Sequence, residues 1–147
     1  MNILYVEDNK INAMVMDKML SGKFSNVIIV ENGPTALKKV KETVLDLILV
    51  DINLGVDQMD GCELLQHFKK LENLNNIPIY AVTAYAMPGD KQRFIKLGFD
   101  NYFSKPVDFK KLIDAINLVA FKQKDATTTL PVLKRKGLID NKTSTVD

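Results

Sequence analysis

The chain has 147 residues, 46% apolar and 26% charged, enough for one domain with a sizeable core, and no apolar run approaches the ~20 residues that span a bilayer. Its net charge of +2 divides into −1 for residues 1–121 and +3 for 122–147, so the body lacks the basic excess of a nucleic-acid-binding face. A single cysteine, Cys62, excludes an internal disulfide, and the start MNILYVED has no basic, apolar secretory leader, so a reducing, cytoplasmic setting is expected.

Short apolar runs alternate with helical patterns along the chain. Asn2–Val6 (NILYV) reads as a strand, and Lys10–Leu20 as a helix with Ile11, Val15 and Met19 at four-residue spacing and Gly22 as a stop. Asn26–Val30 is the second strand. A helix over Thr35–Thr43 follows Gly33–Pro34, where proline suits the first turn. Asp46–Val50 is the third strand, and the helix Gly61–Leu71 carries Leu64, Leu65 and Phe68. Pro78–Val82 is the fourth strand, Pro88–Leu97 a helix ending at Gly98, and Asn101–Phe103 a weaker fifth strand. The last helix, Asp108–Phe121, is capped by Asp108 and sets Leu112, Ile113, Ile116 and Val119–Ala120 on one side. Strands apolar on both faces suit a parallel sheet with helices on both sides. With right-handed crossovers, the order predicts an α/β fold: a doubly wound five-stranded parallel sheet in flavodoxin-like order 2-1-3-4-5.

In such sheets the functional groups gather outside the carboxyl ends of the strands. Glu7 and Asp8 follow the first strand, Asp51 the third, Thr83 the fourth, and Ser104 and Lys105 the fifth. Any one of these alone would pass for a solvated loop residue. Their convergence from four stretches of chain on one sheet edge would not. Crowded carboxylates repel unless a cation offsets them, and Mg²⁺ prefers about six oxygen ligands, commonly including one or two carboxylates. A carboxylate nucleophile, a metal and an ammonium are the working parts of phosphoryl transfer.

Four segments then carry a resemblance. VEDNKIN (Val6–Asn12), LVDINL (Leu49–Leu54), VTAYAMPGD (Val82–Asp90) and DNYFSKP (Asp100–Pro106), in that order and spacing, resemble the receiver domain of two-component response regulators, especially receivers attached to hybrid histidine kinases. The likeness covers about residues 2–121. It implies Asp51 as phosphoacceptor, Asp8 as a direct metal ligand, Glu7 as a ligand through a bound water, and Asn53 as a ligand through its backbone carbonyl. The metal implied is Mg²⁺, with Mn²⁺ able to substitute. Thr83, Lys105, Asn53 and the amide of Ala84 would hold the phosphoryl oxygens. Tyr102 matches the aromatic that turns inward when Thr83 moves, and the Lys105–Pro106 bond is expected to be cis. In the loop DINLGVDQMDG, Leu54–Gly55 stands where many receivers carry Met-Pro, and the path to Asp60–Gly61 is longer.

The function so implied is a phosphorylatable switch rather than an enzyme. A histidine kinase or histidine phosphotransfer protein would donate to Asp51, and the surface of the fourth helix, fifth strand and fifth helix would change. The downstream partner would be a protein, not nucleic acid or membrane, and the chain a monomer or a weak phosphorylation-dependent dimer. Two alternatives compete: a small phosphatase of the haloacid-dehalogenase type, and a degenerate receiver used only for docking. The phosphatase would want a second acid two residues after its nucleophile, where this chain has Asn53. Asp8, Asp51, Thr83 and Lys105 argue against the docking module.

Other residues read more plainly. His67 is a surface or boundary helix residue, Cys62 a small apolar filler, and Met14, Met16 and Met19 helix packing and surface. Asp57 and Asp60 suit turn formation. Residues 122–147, with Thr127–Thr129, read as a tail or linker too short for an output domain.

Overall fold

The computed structural model describes residues 1–55 and 59–135, the last ten as backbone. The prediction for Asp57 and that for the end of the tail lie outside these residues. Five strands among the described residues, β1 (Asn2–Val6), β2 (Asn26–Val30), β3 (Leu47–Asp51), β4 (Ile79–Thr83) and β5 (Asn101–Ser104), form one parallel sheet in the order β2-β1-β3-β4-β5. Helices α1 (Lys10–Ser21), α2 (Gly33–Glu42), α3 (Gly61–Lys69), α4 (Asp90–Leu97) and α5 (Phe109–Arg135) alternate with them. This is the predicted topology.

Side-chain caps, of which the sequence pattern predicts only Asp108, explain where four of the helices begin. Asn9, Asn32, Asp60 and Asp108 accept from the backbone N–H groups of Asn12, Thr35, Glu63 and Lys111 at 2.9, 2.9, 2.8 and 3.2 Å. Asp60, expected to form a turn, is thus the N-cap of α3. Gly98 ends α4 at φ 121°, a conformation that side chains bearing a Cβ rarely adopt.

All five residues of β3 and of β4 are buried, as strands covered on both faces must be. Leu4, Val6, Ile48, Val50 and Ala81 join Val40 of α2, Leu64, Leu65 and Phe68 of α3 and Phe94 of α4 in one core. Each such large aliphatic or aromatic side chain contributes about 1.5–3 kcal/mol. By strand alternation Ile3, Tyr5 and Glu7 point to the opposite face. There Tyr5 lines a small pocket with Met16 of α1 and Phe109 of α5.

Three expectations need correction. The stripe of Ile11, Val15 and Met19 does mark a helix, but α1 buries Met16 and Leu20, leaving Ile11 72% and Met14 70% exposed. Two interleaved apolar stripes satisfy the same period, and the sequence does not say which one turns inward. The third helix ends at Lys69, and a separate 3-10 turn occupies Glu72–Leu74. The last helix does not stop at Phe121. No glycine or proline interrupts it before Pro131, and Gln123, Lys124 and Ala126 are sound helix formers, so it continues past Phe121; the helix extends to Arg135. The chain divides into two compact units, Met1–Ile113 and Asp114–Asp147; the sheet lies wholly in the first. Among the described residues, no helix is long and apolar enough to cross a membrane.

Candidate functional site

Strand register decides which side chains meet. Val6 pairs with Val50, Asp51 with Val82, and Thr83 with Ser104, so the carboxyl ends of β1, β3, β4 and β5 finish level. The ladder continues past two strands. Glu7 donates its N–H to the carbonyl of Val30 at 2.9 Å, and Lys105 its own to that of Thr83 at 2.7 Å. Both side chains are therefore anchored by backbone at the sheet edge. The Lys105–Pro106 peptide is cis, as the resemblance implied.

Lys105 Nζ lies 2.8 Å from Glu7 Oε1 and 3.1 Å from Asp51 Oδ2. Glu7, Asp8 and Asp51 each offer a carboxylate oxygen within 4.8 Å of the others. Glu7 and Asp51 are buried, at 1% and 3% exposure, and Asp8 is exposed. Asn53 donates its backbone N–H to Asp51 Oδ1 at 3.1 Å, and its side chain is exposed. Thr83 is wholly buried, and its Oγ1 accepts from the N–H of Tyr85 at 3.0 Å. Ala84, next along, is exposed. Tyr102 is half-buried; it stacks on Phe94 at 5.7 Å and donates its hydroxyl to the carbonyl of Tyr85. Ser104 ends β5 and is exposed.

The cluster's charges are not balanced by Lys105 alone. Burial, and after it the neighbouring Glu7, pushes the Asp51 carboxyl up to about 7 against the pull of Lys105. Burial acts the same way on Glu7, but Asp51 and then Lys105 outweigh it and hold that carboxyl below its usual range. Burial would lower the Lys105 ammonium, yet Glu7 and Asp51 together raise it. Glu7 Oε2 is buried with no hydrogen-bond partner. An orphaned carboxylate oxygen costs more than a neutral one. Three carboxylates, one ammonium and an orphaned acceptor fit a hard divalent cation held by oxygen ligands.

Sequence reasoning missed Tyr5. Its hydroxyl is buried and donates to Glu7 Oε1 at 3.2 Å. The available signal was spacing, because residues two apart on a strand share a face. Cys62 is half-buried, and burial pushes its thiol up, away from nucleophilic use, while His67 is exposed on α3.

The chain is similar to known proteins in sequence and in fold. Residues 3–117 match the response regulator receiver domain. The polar-differentiation response regulator DivK of Brucella anthropi is 35% identical over 115 residues, covering 78% of this chain and 92% of DivK. The sensor protein GacS of Pseudomonas syringae is 30% identical over 78% of this chain, a stretch that is 13% of GacS. A sensor histidine kinase receiver domain from Pseudomonas aeruginosa, solved with magnesium coordinated in its active site cleft, is 32% identical, covering 78% of this chain and 92% of that one, with a TM-score of 0.68. The chemotaxis protein CheY4 of Vibrio cholerae shares the fold, with a TM-score of 0.72 at 24% identity over 80% of this chain and 97% of CheY4.

Proposed function

This chain belongs to the response regulator receiver domain family, and from that premise we propose that it accepts a phosphoryl group on Asp51 from a histidine kinase or histidine phosphotransfer protein. One observation carries the reading: Glu7, Asp8 and Asp51 converge within 4.8 Å beside Lys105, with Glu7 Oε2 buried and unpartnered. Asp8, Asp51, the backbone carbonyl of Asn53 and, through water, Glu7 would hold Mg²⁺, or Mn²⁺ in its place. When bound, the ion offsets charge on the phosphoryl oxygens.

Asp51 acts as the nucleophile. An oxygen of its carboxylate bonds to phosphorus as the donor's P–N bond breaks and the electron pair returns to the imidazole. Lys105 turns from its carboxylate partners to a phosphoryl oxygen, and the Thr83 hydroxyl and Ala84 amide donate to the others. Thr83 then gives up the N–H of Tyr85, and Tyr102, tied to the carbonyl of the same residue, moves with it. The new charge thus biases a local two-state element around α4, β5 and the start of α5.

The receiver would occupy residues 1–121, with 122–147 as tail or linker, in the cytoplasm, as a monomer or weak dimer. A dehalogenase-type phosphatase is not favoured, because the exposed Asn53 stands where its second acid belongs. The test is acetyl phosphate with Mg²⁺ followed by intact-mass measurement. A phosphoryl mass gain that disappears in Asp51→Asn is expected; sustained hydrolysis of phosphate esters, or no reaction, would overturn the proposal.

A further inference from the structure

Most of β1 is apolar, and the strand neighbours of Tyr5 are Ile29 and Leu49. A tyrosine here is 1% exposed and brings a hydroxyl into surroundings where an unpaired one would be costly. Glu7 is its one hydrogen-bond partner among the described residues. Below it, Met16, Pro106 and Phe109 help to line a mostly apolar pocket of about 160 Å³; Asn12 lines it too, but the Tyr5 hydroxyl donates to Glu7. Glu7 Oε1 thus receives two donors, Tyr5 at 3.2 Å and Lys105 at 2.8 Å, while Oε2 receives none.

We propose that Tyr5 is a positioning residue for the metal site: its hydroxyl and Lys105 together occupy Glu7 Oε1 and fix the carboxylate so that Oε2 is left for the bound cation or its water. The proposal rests on the Mg²⁺ reading above. Lys105 has a second task, since it must reach a phosphoryl oxygen, and Tyr5 does not. When Lys105 swings away, the tyrosine still holds the carboxylate. A phenol, with an ordinary value of about 10, is a neutral donor at physiological pH.

The experiment titrates the full chain with Mg²⁺ alone, wild type against Tyr5→Phe, a change that deletes one oxygen and keeps the ring. Affinity should fall about 10-fold, the usual scale for a partner of a metal-ligating group. The ¹³C shift of the Glu7 carboxyl should move in the metal-free protein, and the amide spectrum should otherwise stay folded. Adding Tyr5→Phe to Glu7→Gln should change affinity less than about 2-fold, because the two side chains act as one unit. A general loosening of β1 would lower affinity equally in both backgrounds and would overturn the proposal. Unchanged affinity and an unmoved Glu7 carboxyl in Tyr5→Phe would overturn it too, while leaving the metal reading intact. A wild-type chain that ignores Mg²⁺ would overturn both.

Discussion

Lys105 stands 3.1 Å from Asp51 although 54 residues separate them, and 2.8 Å from Glu7 across 98. One ammonium, 19% exposed at its side chain, serves two buried carboxylates. Removing one partner of a buried ionic group costs far more than removing a surface pair, since the remaining charges stay desolvated.

Lys105→Met is therefore expected to lower the stability of the metal-free chain by about 1–3 kcal/mol. Millimolar Mg²⁺ should restore most of the loss, because a second cation can take over the carboxylates, yet phosphorylation of Asp51 should remain slow. Urea unfolding with and without Mg²⁺ measures the first effect and intact mass the second. An equal loss of stability in both conditions would contradict the charge balance described for the site.

The Asp51 carboxyl yields a pH dependence with a definite sign. Its value is raised in the fold, from 3.8 to about 7, so between those values the folded state binds more protons than the unfolded one. Its contribution is complete below about pH 3.8 and is lost as pH rises through about 7. Asp51→Asn removes that loss. Without metal, the variant should be about 1–3 kcal/mol more stable than the parent at pH 8, and the difference should shrink toward pH 4. Added Mg²⁺ at pH 8 should narrow the gap by stabilising the parent. Thermal unfolding across pH decides it.

The topology was legible because the strands are short, mostly apolar and alternate with helical patterns; Asn9, Asn32, Asp60 and Asp108 cap four of the five α-helices, and α4 starts at Gly89 without a side-chain cap. The acid cluster was legible for a different reason. Parallel strands in register finish at one edge, so residues that follow them in sequence must meet in space. The inward face of α1 was not legible, because Ile11–Val15–Met19 and Met16–Leu20 satisfy the same period and only the path from β1 chooses between them. The hydroxyl of Tyr5 was hidden by its company: in a run of apolar residues, a tyrosine reads as packing.

Gly61 links the fold directly to the site. A Cβ there would come within 2.6 Å of the Asp51 carbonyl oxygen and 2.7 Å of Ile52 Cα, and both are backbone atoms of the segment that carries the Asp51 side chain. The Gly61 N–H also donates to the Ile52 carbonyl at 2.9 Å, drawing α3 onto the end of β3. Gly61→Ala should cost about 1–3 kcal/mol through overpacking and should weaken Mg²⁺ binding by displacing Asp51. Gly22→Ala, where a Cβ meets nothing within 4 Å, is the control expected to leave metal affinity unchanged. Comparable Mg²⁺ affinity in both variants would show that the approach of α3 does not set the position of Asp51.

The peptide of Tyr85 is gripped from both sides. Its N–H donates to Thr83 Oγ1 at 3.0 Å, and its carbonyl accepts the hydroxyl of Tyr102, whose ring is itself stacked on Phe94 at an interplanar angle of 16°. On the proposed function, a motion of Thr83 toward a phosphoryl group would be carried to Tyr102 through a single residue of the β4–α4 loop. Tyr102→Phe keeps the stack and removes the tie. Because a hydrogen bond of this kind contributes about 0.5–1.5 kcal/mol, amide exchange at Tyr85 and Ala86 should quicken about 3–10-fold. The Glu7–Asp51–Lys105 cluster has no contact with that hydroxyl, so phosphorylation of Asp51 by acetyl phosphate should proceed as in the parent. On phosphorylation, the parent should show faster exchange at Tyr85 as Thr83 releases its N–H, and the variant should show a smaller further change. If exchange at Tyr85 is the same in both chains before and after phosphorylation, the tie restrains nothing, and Tyr102 must respond to Thr83 by packing alone.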